Sequence, residues 1–135
     1  MNTANLTYLG ELRTEMTHIR SGKTIITDAP VDNHGKGEAF SPTDLVAAAF
    51  IACMVSIMGI VANKNEMQIG EVKSEVLKVM GEAPRRIVEL QATITFEGHQ
   101  LNEEQKAMLE RAAHNCPVAK SLHADMALKV TFVYL

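Results

Sequence analysis

An α+β fold, with mostly antiparallel sheets around one long buried helix, is predicted by three features of the sequence. The apolar run Leu45 to Ala62 directly follows a helix-start signal at Ser41-Pro42-Thr43-Asp44. Val88, Leu90, Ala92, Ile94 and Phe96 alternate with Glu89, Gln91, Thr93, Thr95 and Glu97, which is the period of a half-buried strand. The order read along the chain is strands, buried helix, strands, helix, strand. At 135 residues the whole length, 1–135, reads as a single domain.

Leu6 to Thr27 alternates as a hairpin, with Leu6, Tyr8 and Leu12 around a Gly10-Glu11 turn. Ser21-Gly22 marks a second turn before Thr24-Ile25-Ile26-Thr27. Asp28 to Phe40 has Pro, Asn and two Gly without periodicity and reads as a loop. Next comes the sharpest boundary: a Ser41 cap, Pro42 at the first helical position, and Asp44 placed to reach back to the cap amide. The helix is predicted from Pro42 to about Asn63. It is apolar on every face and so needs cover all round. At 1.5 Å per residue it is about 33 Å long, more than so short a chain can surround, which implies a second subunit.

Val72 to Val79 reads as a strand, Gly81 to Pro84 as a turn, and Val88 to Glu97 as the alternating strand. Asn102 and Gln105 form a second capping signal, for a helix whose apolar stripe is Met108, Leu109, Ala112 and Ala113. Cys116-Pro117 restarts a short helical turn as far as Leu122. Ala127 to Leu135 closes the chain as a strand, with Met126, Leu128, Val130, Phe132 and Tyr134 on one side and Lys129 and Thr131 on the other.

Composition narrows the function. Net charge is −3 and no basic cluster exceeds Arg85-Arg86, so no nucleic-acid footprint is present. Two cysteines without a CxxC and five scattered histidines give neither a disulfide scaffold nor a metal module, and no cofactor is implied. Of the histidines, which read as surface or capping residues, only His114 stands close to a cysteine in sequence. Met1 to Asn5 does not read as a signal peptide, and a cytoplasmic setting that keeps both cysteines as thiols is expected. The apolar run reaches the length of a membrane span, but its five Ala, its lack of aromatic anchors and the strands after it favour a buried core helix over a membrane.

The two cysteines have opposite contexts. Cys53 lies in the middle of the apolar helix, where inert packing is the better reading of its position alone. To act as a nucleophile it needs a cation nearby, because burial raises a thiol's pKa. Cys116 occupies a helix N-cap, where unpaired amides favour a thiolate; a purely structural cap is the equal alternative.

Ser41-Pro42-Thr43-Asp44-Leu45-Val46-Ala47-Ala48-Ala49-Phe50-Ile51-Ala52-Cys53 resembles the signature of the OsmC/Ohr family, with Cys53 eight residues past Leu45. Asn115-Cys116-Pro117-Val118-Ala119-Lys120-Ser121-Leu122 is similar to the family's second segment, Cys-Pro-Val-x-x-x-Leu. The resemblance extends from about Leu6 to Leu135. It implies an OsmC/Ohr-like intertwined homodimer and thiol-dependent reduction of organic hydroperoxides. Cys53 would be the peroxidatic cysteine, Cys116 the resolving one, and a lipoyl-type dithiol the reductant. An Arg from the first hairpin stabilises the thiolate in the family; Arg13 matches it, with Arg20 as the fallback, and a solvated strand residue is the plain alternative for either. A Glu usually follows the Pro to orient that Arg. Thr43 stands there instead, leaving Asp44, about 100° further round the helix, or Glu38 to serve, if a carboxylate is needed at all. The competing reading is a non-catalytic protein that binds an apolar small molecule beside the long helix or senses redox state. A serine hydrolase is a distant third, because no Gly-x-Ser-x-Gly elbow exists.

Overall fold

A computed structural model describes residues 1–135, and the chain divides into two compact units, 1–46 and 47–135. In the first unit, β1 (Ala4–Gly10), β2 (Arg13–His18) and β3 (Thr24–Asp28) form an antiparallel meander in sequence order. The first turn falls at Glu11 and Leu12, one residue beyond the expected Gly10-Glu11. Both residues have positive φ, 53° and 63°, as a two-residue hairpin whose twist matches its strands requires. Gly10, at φ 86°, instead occupies the irregularity that shifts the β1–β2 register.

The segment read as a loop is folded back on itself around one 3-10 turn, Val31–Asn33. The Gly35 amide donates to the Pro30 carbonyl and the Gly37 amide to the Ala29 carbonyl. A Cβ on Gly35 would stand 1.8 Å from the Ala29 carbonyl oxygen, so only glycine fits. At the end of this segment Ser41 caps α1 (Pro42–Lys64). The Asp44 amide donates to Ser41 Oγ at 3.1 Å, and the Ser41 amide donates to Asp44 Oδ2 at 3.0 Å. This is the reciprocal cap expected from the sequence.

The second unit takes in α1 from Ala47 onward. Its sheet has the order β4-β5-β6: β4 (Glu71–Gly81) and β5 (Arg86–Glu97) form an antiparallel hairpin, and β6 (Ala127–Tyr134) lies parallel to β5, with Glu89 opposite Ala127. That parallel pair departs from an antiparallel arrangement. The reason lies in the connection: α2 (Glu103–His114) and α3 (Pro117–Ser121) carry the chain back to the end where β5 began, and such a crossover delivers a parallel strand. Asn102 and Gln105 close the capping box on α2.

The core of this unit is built from Leu90, Ala92, Ile94 and Phe96 of β5, Leu109 and Ala113 of α2, Cys116, and one stripe of α1. The stripe is Ala47, Phe50, Met54, Met58 and Ala62, at helical spacing. Burying a side chain such as Phe50 contributes roughly 1.5–3 kcal/mol. Tyr134 joins β6 to α2: its ring stacks on Phe96 at 4.9 Å and its hydroxyl donates to Glu110 Oε2 at 3.0 Å.

Cover all round α1 is not what the chain provides. One stripe is buried, while Ala49, Ala52, Ser56 and Ile60 are exposed along another line of the same helix. The helix is long and apolar enough to cross a membrane by length and composition. Its buried stripe nevertheless makes it a core helix of the second unit.

Candidate active site

In the second unit the tertiary structure brings together two thiols that lie far apart in sequence. Cys53, in the middle of α1, is half-buried against the core. Cys116 is fully buried at the N-cap of α3, where its Sγ accepts from the Ala119 amide at 3.4 Å. Both are free thiols. They interact: burial pushes the Cys116 thiol above its ordinary pKa, and the Cys53 side chain adds to the rise, while the Ala119 and Val118 amides oppose it.

Of the two readings of Cys116, thiolate or purely structural cap, burial works against the thiolate. Desolvation of the anion outweighs two backbone donors. Alkylation consumes thiolate, so iodoacetamide at pH 7 is expected to label Cys116 more slowly than a free cysteine of ordinary pKa. The rate should climb as pH is raised toward the elevated pKa. Labelling at pH 7 as fast as that of free cysteine would contradict this assignment.

In the first unit, Arg13 is firmly held. Its Nε donates to Asp28 Oδ1 at 2.7 Å and its Nη2 to Asp28 Oδ2 at 2.8 Å, a bidentate fork. Asp28 is fully buried and also accepts from the Glu38 amide at 3.0 Å. The Arg13 guanidinium holds the Asp28 carboxyl below the usual carboxylate range, against the opposing effect of burial. Glu38 adds a looser contact, 3.6 Å from Arg13 Nη2, with its side chain 66% exposed. Lys36 and Glu11 pair beside them at 2.7 Å.

The carboxylate on Arg13 is therefore chiefly Asp28, which the sequence reading placed at the start of a loop. Glu38 touches the guanidinium, Asp44 closes the cap of α1, and Arg20 sits exposed in the turn after β2. One signal for Asp28 was available. Folding β2 onto β3 so that Thr17 faces Thr24 sets Arg13 directly opposite Asp28. Opposite charges at facing positions are a stabilising cross-strand pair.

No group of three or more His, Cys, Asp or Glu side chains converges as a metal site. A shallow recess of about 210 Å³ on β4 and β5 is lined by Glu75, Val76, Leu77, Gln91 and Thr93, and neither α1 nor either cysteine contributes to it.

Comparison with known proteins follows the same lines. Residues 35–131 match the model of the family described as OsmC-like protein. A Psychrobacter arcticus protein, provisionally named an osmotic stress induced and detoxification response protein, is 45% identical, with a TM-score of 0.90 over 100% of this chain and 96% of that one. The organic hydroperoxide resistance protein OsmC of Legionella pneumophila shares the fold at 20% identity, TM-score 0.72, over 98% of each chain. The organic hydroperoxide resistance protein OhrB of Bacillus subtilis does so at 21% identity, TM-score 0.61, over 99% of this chain and 98% of that one. No curated protein matches the sequence.

Proposed function

This chain belongs to the OsmC-like protein family, and we propose that it is a thiol peroxidase that reduces organic hydroperoxides through Cys53 and Cys116. The observation that carries the reading is the meeting of these two thiols, one half-exposed and one buried, with burial pushing the second above its ordinary pKa. The names of the Legionella and Bacillus proteins support the substrate class.

The division of labour follows from the environments. The Cys53 thiolate attacks the distal oxygen of the hydroperoxide; the O–O bond breaks, Cys53 becomes a sulfenic acid, and the alkoxide leaves as an alcohol after taking a proton. Cys116, kept as a thiol by burial, does not compete for peroxide. Its sulfur then attacks the sulfenic sulfur, forming the Cys53–Cys116 disulfide and releasing water. A lipoyl-type dithiol reduces that bond by two exchanges and leaves as its own disulfide. A reducing compartment such as the cytoplasm suits this cycle.

Arg13 is assigned as the cation of this cycle, the role the resemblance implies for it. What supports it is that its guanidinium is fixed by a bidentate partner, and guanidinium keeps its charge at any working pH. Asp44 is assigned to holding the start of the helix that carries Cys53. The exposed line Ala49, Ala52, Ser56 and Ile60 on α1 supports a homodimer, a second copy supplying the cover the helix lacks.

The test is one equivalent of cumene hydroperoxide followed by intact-mass and peptide mapping. The protein is expected to lose two hydrogens quickly, mapped to a Cys53–Cys116 link. Slow oxidation spread over the methionines would end the proposal.

A further inference from the structure

We infer that Asp28 is the positioning residue that aims Arg13, the part that a Glu in the place of Thr43 plays in the resemblance. The inference rests on the proposed reading of Arg13 as the cation of the cycle. Three carboxylates compete for the role, and the geometry separates them. Asp44 Oδ2 is engaged by the Ser41 amide in the helix cap. Glu38 reaches Nη2 only at 3.6 Å from a largely exposed side chain, and such pairs fix orientation weakly. Asp28 grips Nε and Nη2 together at 2.7 and 2.8 Å, which determines the plane of the guanidinium as well as its place.

Asp28 is itself immobilised. It sits on the last residue of β3, opposite Arg13 in the ladder, and its Oδ2 is held from the other side by the Glu38 amide. Arg13 keeps 27% of its side chain exposed while Asp28 keeps none, so the pair has a buried anchor and an accessible head. The remaining charged neighbours, Lys36 and Glu11, are paired with each other. A buried ion pair is not a requirement of packing, since apolar residues of similar volume often hold a site as well or better. Aiming the guanidinium is a task that only the carboxylate performs.

The experiment is a double-mutant cycle on the full chain with Asp28→Asn, Arg13→Met and the pair, measuring kcat/KM for cumene hydroperoxide with dihydrolipoamide. Asp28→Asn is expected to lower kcat/KM on the order of 10²-fold, the scale of a displaced catalytic group. The double variant should be no worse than Arg13→Met alone, because Asp28 acts only through Arg13. In parallel, the Arg13 Nε–H resonance should be protected in wild type and in Glu38→Gln, and lost in Asp28→Asn. Losses that multiply in the double variant, or wild-type turnover in Asp28→Asn, would overturn the inference. If Asp28→Asn does not fold, Asp28→Glu runs the same cycle, and its loss must likewise vanish in the Arg13→Met background. A wild-type protein without turnover sinks the peroxidase reading and this inference with it; an active wild type with multiplying losses sinks this inference alone.

Discussion

Cys53→Ser is expected to abolish hydroperoxide turnover, lowering kcat/KM on the order of 10³-fold or more, which corresponds to about 4 kcal/mol of transition-state stabilisation. A hydroxyl at this position keeps the volume and the helix but supplies no thiolate, and thiolate is the nucleophile of peroxide reduction. Cys116→Ser should behave differently. In the proposed cycle the buried thiol acts after the first oxidation, so that variant should consume one equivalent of peroxide and then stall at the sulfenic acid, which dimedone traps. The measurement is steady-state loss of cumene hydroperoxide with dihydrolipoamide, alongside a single-turnover trace for each variant. Turnover by Cys53→Ser equal to wild type would remove Cys53 from the mechanism, and a Cys116→Ser variant that cycles normally would remove the disulfide.

The second large effect concerns assembly. Sedimentation at micromolar concentration is expected to report twice the 14.8 kDa mass of one chain, and Ile60→Asp is expected to return it to one. Ile60 is 49% exposed on α1, so a carboxylate there faces water in an isolated chain and leaves that chain's fold intact. Against a second copy the same carboxylate must be desolvated without a partner, at a cost of several kcal/mol. Each 1.4 kcal/mol is a tenfold change in the dissociation constant, so the variant falls out of the associating range. The first unit also leaves apolar surface open at Leu6, Tyr8, Leu9 and Ile25, which adds area for a partner to cover. A monomeric wild type would mean that these residues face solvent in the working protein.

Much of the architecture was legible because its signals are local. Ser41 with Asp44, and Asn102 with Gln105, satisfy amides three residues away, and both reciprocal caps form as their spacing implies. The alternation of β5 names its own buried face. The Cys116-Pro117 restart is a cap in the structure too. The reading failed where a residue's role depended on what stood opposite it. Asp28 beside Ala29 and Pro30 looked like the first residue of a loop, and only the β2–β3 register makes it the partner of Arg13. The first turn moved by one residue because a glycine was credited with the turn when it was needed for the irregularity beside it.

By itself, then, the amino-acid order determined the sequence of elements, the helix-start capping chemistry and the two cysteine motifs, since these depend on backbone propensity, side-chain period and hydrogen bonds within a few residues. Tertiary structure decided that β6 lies parallel to β5, that one stripe of α1 is buried and another is left open, that Asp28 grips Arg13, and that Cys116 is buried beside Cys53 with its thiol pushed above its ordinary pKa. Those outcomes turn on desolvation and on which groups face one another across the fold. Burial strong enough to outweigh two helix-start amides at Cys116 is produced only when distant segments close over the sulfur.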